Sequence, residues 1–180
     1  MSGEVGNRTD REAGAEEAEW ERVYREQARR VYNFFRYRVG DDAVAEDLTA
    51  DTFERAWKHR HRYRNDAARF SAWLFSIARN LSIDHHRRRH WRRRLAIQTA
   101  ESMESDIERS AEEGAVNTWD LEKLKKLLHG LPDREIDLVA LKFGAGMTNR
   151  EMAKLLDLTE SNVGTLLYRV IKKLRANWEK

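Results

Sequence analysis

The sequence has no cysteine. Disulfide bonds and thiolate metal sites are therefore excluded, and a reducing compartment is the expected setting. Proline is almost as scarce, with Pro132 the single instance in 180 residues. Alternating β-branched runs are few, so the hydrophobic spacing has to be read for helices. No apolar run approaches the ~18 residues of a membrane span. The opening stretch MSGEVGNRTDREAGAEEAEW lacks the apolar segment of a secretory signal. These absences point to an all-α, cytosolic protein preceded by a disordered tail over residues 1–15.

What the sequence does have is charge, unevenly placed. Charged residues make up 36% of the chain while the net charge is only +3. From Lys58 to Arg94 twelve Lys or Arg stand against two acids, whereas from Thr99 to Asn117 six acids stand against one arginine. Segregation of this kind marks a polyanion-facing segment beside one that avoids or mimics polyanions. The densest part, IDHHRRRHWRRR at residues 83–94, is open to three readings: a histidine metal cluster, a solvated charged face, or a nucleic-acid surface.

Apolar spacing predicts two helical groups. In the first, Trp20, Val23, Tyr24, Gln27, Ala28, Val31, Phe34 and Phe35 fall on one stripe, and Gly40 ends the helix. Asp41 and Asp42 are N-cap candidates for a second helix over roughly 43–60, with Ala45, Leu48, Thr52, Phe53 and Ala56 on one side. Asp47, Asp51 and Glu54 line another edge of it. After a polar loop, Phe70, Trp73, Leu74, Ile77 and Leu81 give a third stripe, whose helix is expected to run on into the arginines. Asn80, Asp84, Arg87 and Trp91 continue the line of Trp73 and Ile77, so this helix is expected to outrun its own core. Residues 95–117 read as an acidic flexible linker. The organisation is thus a tail at 1–15, a helical domain at 16–94, the linker, and a second helical domain at 118–180, each domain small enough to be marginally stable alone.

The second group is the more legible. Leu121, Leu124, Leu128 and Leu131 are in register, and Pro132 opens a helix with Ile136, Val139, Ala140 and Phe143 facing inward, closed by Gly144 and Gly146. Thr148-Asn149-Arg150-Glu151 is a capping-box sequence. A short helix over 149–156, a turn at Asp157-Leu158-Thr159, and a longer helix capped by Thr159 or Ser161 make a helix-turn-helix pattern. Glu160, Ser161, Asn162, Thr165 and Arg169 point outward near the start of the longer helix, placed to reach base edges. Lys172, Lys173 and Arg175 are placed for backbone phosphate.

At this point the residues resemble a known family. LPDREIDLVALKFGAGMTNREMAKLLDLTESNVGTLLYRVIKKLR resembles the promoter −35-reading domain of extracytoplasmic-function sigma factors, of the sigma-70 family. AEDLTADTFERAWKHRHRY resembles their polymerase-binding helix, and FSAWLFSIARNLSIDHHRRR their −10-reading helix, with Asn80, Asp84, Arg87 and Arg88 in the family order. The likeness spans about Trp20 to Arg175.

The resemblance implies a non-enzymatic initiation factor that binds core RNA polymerase at its clamp helices and flap, directs it to promoter DNA, and aids opening. It implies polymerase contact by Asp47, Leu48, Asp51, Phe53 and Glu54. It implies −10 contact by Asn80, Asp84, Arg87, Arg88 and Trp91, with a flipped base held by the loop residues Tyr63, Arg64, Asn65 and Asp66. Phe70 is equally a core candidate. Contact with the −35 element falls to Glu160, Ser161, Asn162, Thr165, Arg169, Lys172 and Lys173. An anti-sigma factor is an expected partner, and the location is bacterial cytoplasm, at the nucleoid, with no membrane insertion, cofactor or metal. Three features depart from the family pattern: the histidines and Trp91 of the arginine segment, Leu166 and Ile171 where many members carry arginine, and Gly164, read as permitting close approach to the DNA backbone.

Two other classes compete. The triplet Asp84-His85-His86 is a signature of one metal-dependent phosphoesterase family, but adjacent histidines on a helix point about 100° apart, and the further Asp and His clusters and the α/β sheet are missing. A sensory regulator with a C-terminal helix-turn-helix would differ by binding DNA tightly without polymerase.

Overall fold

A computed structural model describes residues 5–60, 67–98 and 118–179, and among these the stripes become seven α-helices. They are α1 (Val5–Val39), α2 (Asp42–Lys58), α3 (Ala67–Gln98), α4 (Thr118–His129), α5 (Asp133–Val139), α6 (Asn149–Leu156) and α7 (Glu160–Trp178). No strand occurs among the described residues, so the sheet required by the phosphoesterase reading is not found there. Tyr63, Arg64, Asn65 and Asp66, and residues 99–117, lie outside them. α1 begins at Val5, inside the segment that composition reads as a tail. Arg, Glu and Ala, all good helix formers, dominate residues 8–19.

Each helix end has a local cause. Gly40, at φ +71°, closes α1 and donates its N–H to Arg36 O at 3.0 Å. Asp41 caps α2, accepting the Val44 N–H at 2.9 Å. Inside α2 the buried face is Ala45, Leu48, Thr49, Thr52, Phe53 and Ala56. The two threonine hydroxyls there donate to the carbonyls of Ala45 and Leu48, so neither is buried unsatisfied. In α3 the inward face is Ser71, Leu74, Phe75, Ala78, Leu81 and Ser82. It is rotated from the expected stripe, because Phe70, Trp73 and Ile77 pack at the flank, half-buried. Phe70 makes edge-on ring contacts with Trp20 and Trp73, so its ring is part of that aromatic flank.

The expectation that Phe143 faces inward is corrected by the structure, where it is 51% exposed. After Val139 the helix widens into a π-helical segment, Ala140–Gly144, in which the Ala145 N–H reaches Ala140 O at 2.9 Å. The wider turn breaks the α-helical register on which the expectation rested. Phe143 turns outward and Gly144 inward.

That inward turn joins the two helical groups. One continuous core contains Val31, Phe34 and Phe35 of α1, Leu74 and Phe75 of α3, and Leu138, Leu141, Ala145, Met147 and Met152 from the C-terminal group. A smaller cluster, Leu128, Leu131, Ile136, Val139 and Val170, lies in the C-terminal group, with Tyr37 of α1 packed against it. The two domains expected to be thinly stable by themselves therefore bury apolar surface against each other.

Candidate nucleic-acid interface

The first candidate surface is the far half of α3. Ser82 is its last buried side chain, and from Ile83 to Trp91 every described one is half-buried or exposed. The helix outruns its core where the spacing predicts. Asn80, Arg87, Arg88, Arg89 and Arg92 are exposed, and Trp91 is 62% exposed. Arg87 is held by Asp84 at 3.3 Å, whereas Arg88, Arg89 and Arg92 form no ion pair among the described residues. Burial pushes the His85 imidazole below its ordinary value, and Arg89, His86 and Arg92 act in the same direction against Asp41. The shift disfavours the charged imidazolium, so this ring adds less to the positive surface than an ordinary histidine would. His86 Nε2 lies 3.5 Å from Asp133 at the start of α5.

Between α2 and α3 lies a cleft of about 220 Å³. Asp47, Asp51 and Arg55 line it from α2, and Asp84, His85 and Arg88 from α3. Asp47, Asp51 and Glu54 are exposed, and Glu54 pairs with Lys58. Leu48 and Phe53 are not part of that exposed edge: both are buried, at 7% and 5% exposure. They seat α2 on the core and so fix where its carboxylates stand.

The second surface is the helix-turn-helix. The capping box is present: Glu151 N–H donates to Thr148 Oγ1 at 3.2 Å, and Thr148 N–H to Glu151 Oε2 at 2.7 Å. Asp157 ends α6 in the left-handed region at φ 54°, a conformation Asp tolerates better than most residues. Thr159, not Ser161, caps α7, accepting the Asn162 N–H at 3.2 Å. Val163, Leu167 and Val170 are buried, and this turns Glu160, Ser161, Asn162, Thr165, Arg169, Lys172 and Lys173 outward. Some are already engaged: Glu160 with Arg150 at 3.6 Å, Thr165 Oγ1 donating to Ser161 O at 3.0 Å, and Lys173 with Glu135 at 2.8 Å. Tyr168, 67% exposed, stands on the same face and was missed by the sequence reading. The spacing 161, 165, 168, 172 would have found it.

Burial alone would raise the Glu151 carboxyl, but the Thr148 donors, Arg30 and Lys142 outweigh it and hold it below the ordinary value. A depressed folded value means stability present above the unfolded value and lost as pH falls through the folded one. The difference in unfolding free energy between wild type and Glu151→Gln, about 1 kcal/mol for such a cap, is therefore expected to shrink between pH 7 and pH 3. Denaturant melts across that range check it.

Gly164 is placed against the other helix of the motif: a Cβ there would lie 3.6 Å from Asn149 Nδ2, an ordinary contact. Gly164→Ala is thus expected to stabilise the chain by roughly 0.5–1 kcal/mol in thermal melts, with any DNA binding through α7 unchanged. Weakened DNA binding by a well-folded variant would instead put the glycine at the DNA backbone.

Comparison with known proteins bears on both surfaces. The family model for Sigma-70 region 2 matches residues 23–92, and that for Sigma-70, region 4 matches residues 121–174. The ECF RNA polymerase sigma factor BldN of Streptomyces coelicolor is 33% identical over 154 residues, covering 85% of this chain but only 58% of BldN. The ECF RNA polymerase sigma factor SigM of Bacillus subtilis is 26% identical over 155 residues, covering 86% of this chain and 91% of SigM. Among solved structures, the sigma factor RpoE of Bartonella quintana, in complex with the anti-sigma factor NepR, aligns with a TM-score of 0.69 at 21% identity, over 89% of this chain and 97% of that one. This last likeness concerns the fold.

Proposed function

We propose that this chain, which belongs to the extracytoplasmic-function sigma factors of the sigma-70 family, binds core RNA polymerase, directs it to promoters by reading −35 and −10 elements, and assists opening without being an enzyme. The observation that carries the proposal is the pairing of two exposed readers in one chain. A capped recognition helix presents Ser161, Asn162, Thr165 and Arg169. A cationic helix end presents Asn80, Arg87, Arg88 and Trp91 beyond its own core.

Each surface suits a different part of the task. Side chains in the first turns of α7 meet base edges, while Lys172 and Lys173 meet phosphate. For Lys173 the Glu135 pair has first to be exchanged for phosphate. On α3, Arg88 and its neighbours supply charge and Trp91 a stacking face for single-stranded bases; Tyr63, Arg64, Asn65 and Asp66 would hold a flipped base. On α2, the carboxylates of Asp47, Asp51 and Glu54 offer an acidic docking edge for the polymerase clamp, seated by Leu48 and Phe53, and the flap is the expected contact of the C-terminal domain. An anti-sigma factor is part of the proposal, as is a cytoplasmic site of action. No described helix is long and apolar enough to cross a membrane.

The test is reconstitution. The purified chain is expected to form a holoenzyme with bacterial core polymerase and to support runoff transcription from promoters selected out of a random pool. Tight, sequence-specific DNA binding by the free chain, with no core binding and no runoff, would overturn the reading in favour of a stand-alone regulator.

A further inference from the structure

The reading face of α7 lacks positive charge in its first turns. Residues 160–168 contain no lysine or arginine, and the first cation of the helix is Arg169. Ser161, Asn162, Thr165 and Tyr168 are exposed in that stretch, and all are uncharged. The commonest specific base contact is an arginine or lysine donating two bonds to guanine O6 and N7. Nothing in these turns supplies one.

The other helix of the motif does. Arg150 is the second residue of α6, and 77% of its side chain is open to solvent. Its Nε lies 3.6 Å from Glu160 Oε2, so the side chain reaches the first turn of α7. The neighbouring polar groups are committed elsewhere. Lys142 Nζ donates to Asn149 Oδ1 at 3.1 Å, and Glu151 closes the capping box.

The way the pair is made decides what it can hold. A guanidinium carries five N–H donors in one rigid plane, and only one of them is on Nε. Engagement through Nε leaves the terminal nitrogens available as a fork. An unpaired arginine would be spread over many rotamers, and the carboxylate narrows that spread. Glu160 is itself suited to its place, because a helix N-terminus favours a negative side chain. The pair as a whole is neutral. A phosphate drawn to Arg150 is repelled by Glu160 beside it, whereas a base edge has no net charge and offers two acceptors. The pair therefore fits a base better than the backbone.

We propose that Arg150 reads one guanine of the −35 element from α6, outside the recognition helix, and that Glu160 is its positioning residue rather than a base contact. This rests on the sigma-factor reading above. It reassigns Glu160, which the sequence places among the base readers.

The test is selection of −35 elements from a randomised duplex pool by the reconstituted holoenzyme, read by sequencing. The variants are full-length chains, and both substituted side chains are exposed, so circular dichroism is expected to match wild type. Wild type is expected to select guanine at one or more positions. Arg150→Ala is expected to lose that preference at one of them, on the order of tenfold or more, with the other positions and the salt dependence of binding unchanged. Glu160→Gln keeps the shape and removes the charge. It is expected to weaken the preference at the same position by a few-fold, about what an exposed ion pair contributes, and to leave every other position alone. Uniform weakening of Arg150→Ala across all sequences, with a salt slope shallower by about 0.9, would make Arg150 a phosphate contact and overturn the proposal. Relaxed preference at a different position in Glu160→Gln would make Glu160 a base reader and overturn its positioning role. A wild-type holoenzyme that selects no element overturns the sigma-factor reading instead. The same pool offered to the full chain without polymerase then decides Arg150: guanine selection lost in Arg150→Ala upholds the assignment, and no selection by any form overturns it.

Discussion

Alanine at both Arg87 and Arg88 is expected to lower open-complex formation by the reconstituted holoenzyme by a hundredfold or more, and to flatten its salt dependence. Both guanidinium groups are exposed on the part of α3 that has left the core, so their loss removes charge without creating a cavity. A hydrogen bond to a charged group contributes about 1.5–3 kcal/mol, and two such phosphate contacts reach the stated effect. Each phosphate neutralised contributes about −0.9 to the slope of log K against log salt, so the slope is expected to become shallower by nearly two. The two residues are not equivalent. Arg87 has to give up Asp84 at 3.3 Å before it meets phosphate, whereas Arg88 has no such partner among the described residues. Arg88→Ala alone is expected to show the larger share. Filter-binding or permanganate footprinting across a salt series measures both, and an unchanged slope would remove these arginines from the phosphate contacts.

The arrangement of α3 shows how much was legible beforehand. Its existence, its extension into the arginine segment and its departure from the core near residue 82 all followed from spacing, because an apolar stripe that turns polar is visible in one dimension. Its inward face was misplaced by about one residue. Phe75 and Ala78 are fully buried while Trp73 and Ile77 are half-buried, Trp73 in edge-on contact with Phe70, which in turn packs on Trp20 of α1. The caps of α2, α6 and α7 were legible for a similar reason: a capping interaction is closed within four residues. The outward residues of α7 were too, apart from Tyr168.

What spacing did not yield is long-range. The π-helical segment at Ala140–Gly144 breaks a 3.6-residue count, so Phe143 was assigned to the core and Gly144 to a mere chain break. The shared core was missed because each half carries stripes sufficient to suggest a core of its own. Yet a signal was available. Arg38 occupies the next position on the stripe of Val31, Phe34 and Phe35, and Asp137 lies between the apolar residues Ile136 and Leu138. A charge on the buried face of each of two helices is costly unless the two meet. At Arg38 and Asp137 they do.

Reversing Asp47 and Asp51 to lysine is expected to weaken binding to core polymerase by two to three orders of magnitude while leaving the −35-reading surface of α7 intact. Both carboxylates are exposed on α2, and neither takes part in an ion pair among the described residues. Their removal therefore costs the free chain little. Like-charge juxtaposition at a docked surface costs several kcal/mol, which sets the magnitude for a reversed pair. The position of the two residues makes the test selective. They line the cleft across from Asp84 and Arg88, so reversal is felt most by a partner seated over that cleft and least by α7. Substituting Leu48 or Phe53 would not separate the two effects, because both are buried and truncation would unseat α2 itself. The decisive pair of measurements is core affinity by anisotropy and −35 binding by an isolated-duplex titration on the same variant. Normal core affinity would refute the docking role of this edge. Loss of both, with unfolding by circular dichroism, would show that the reversal acts on the fold.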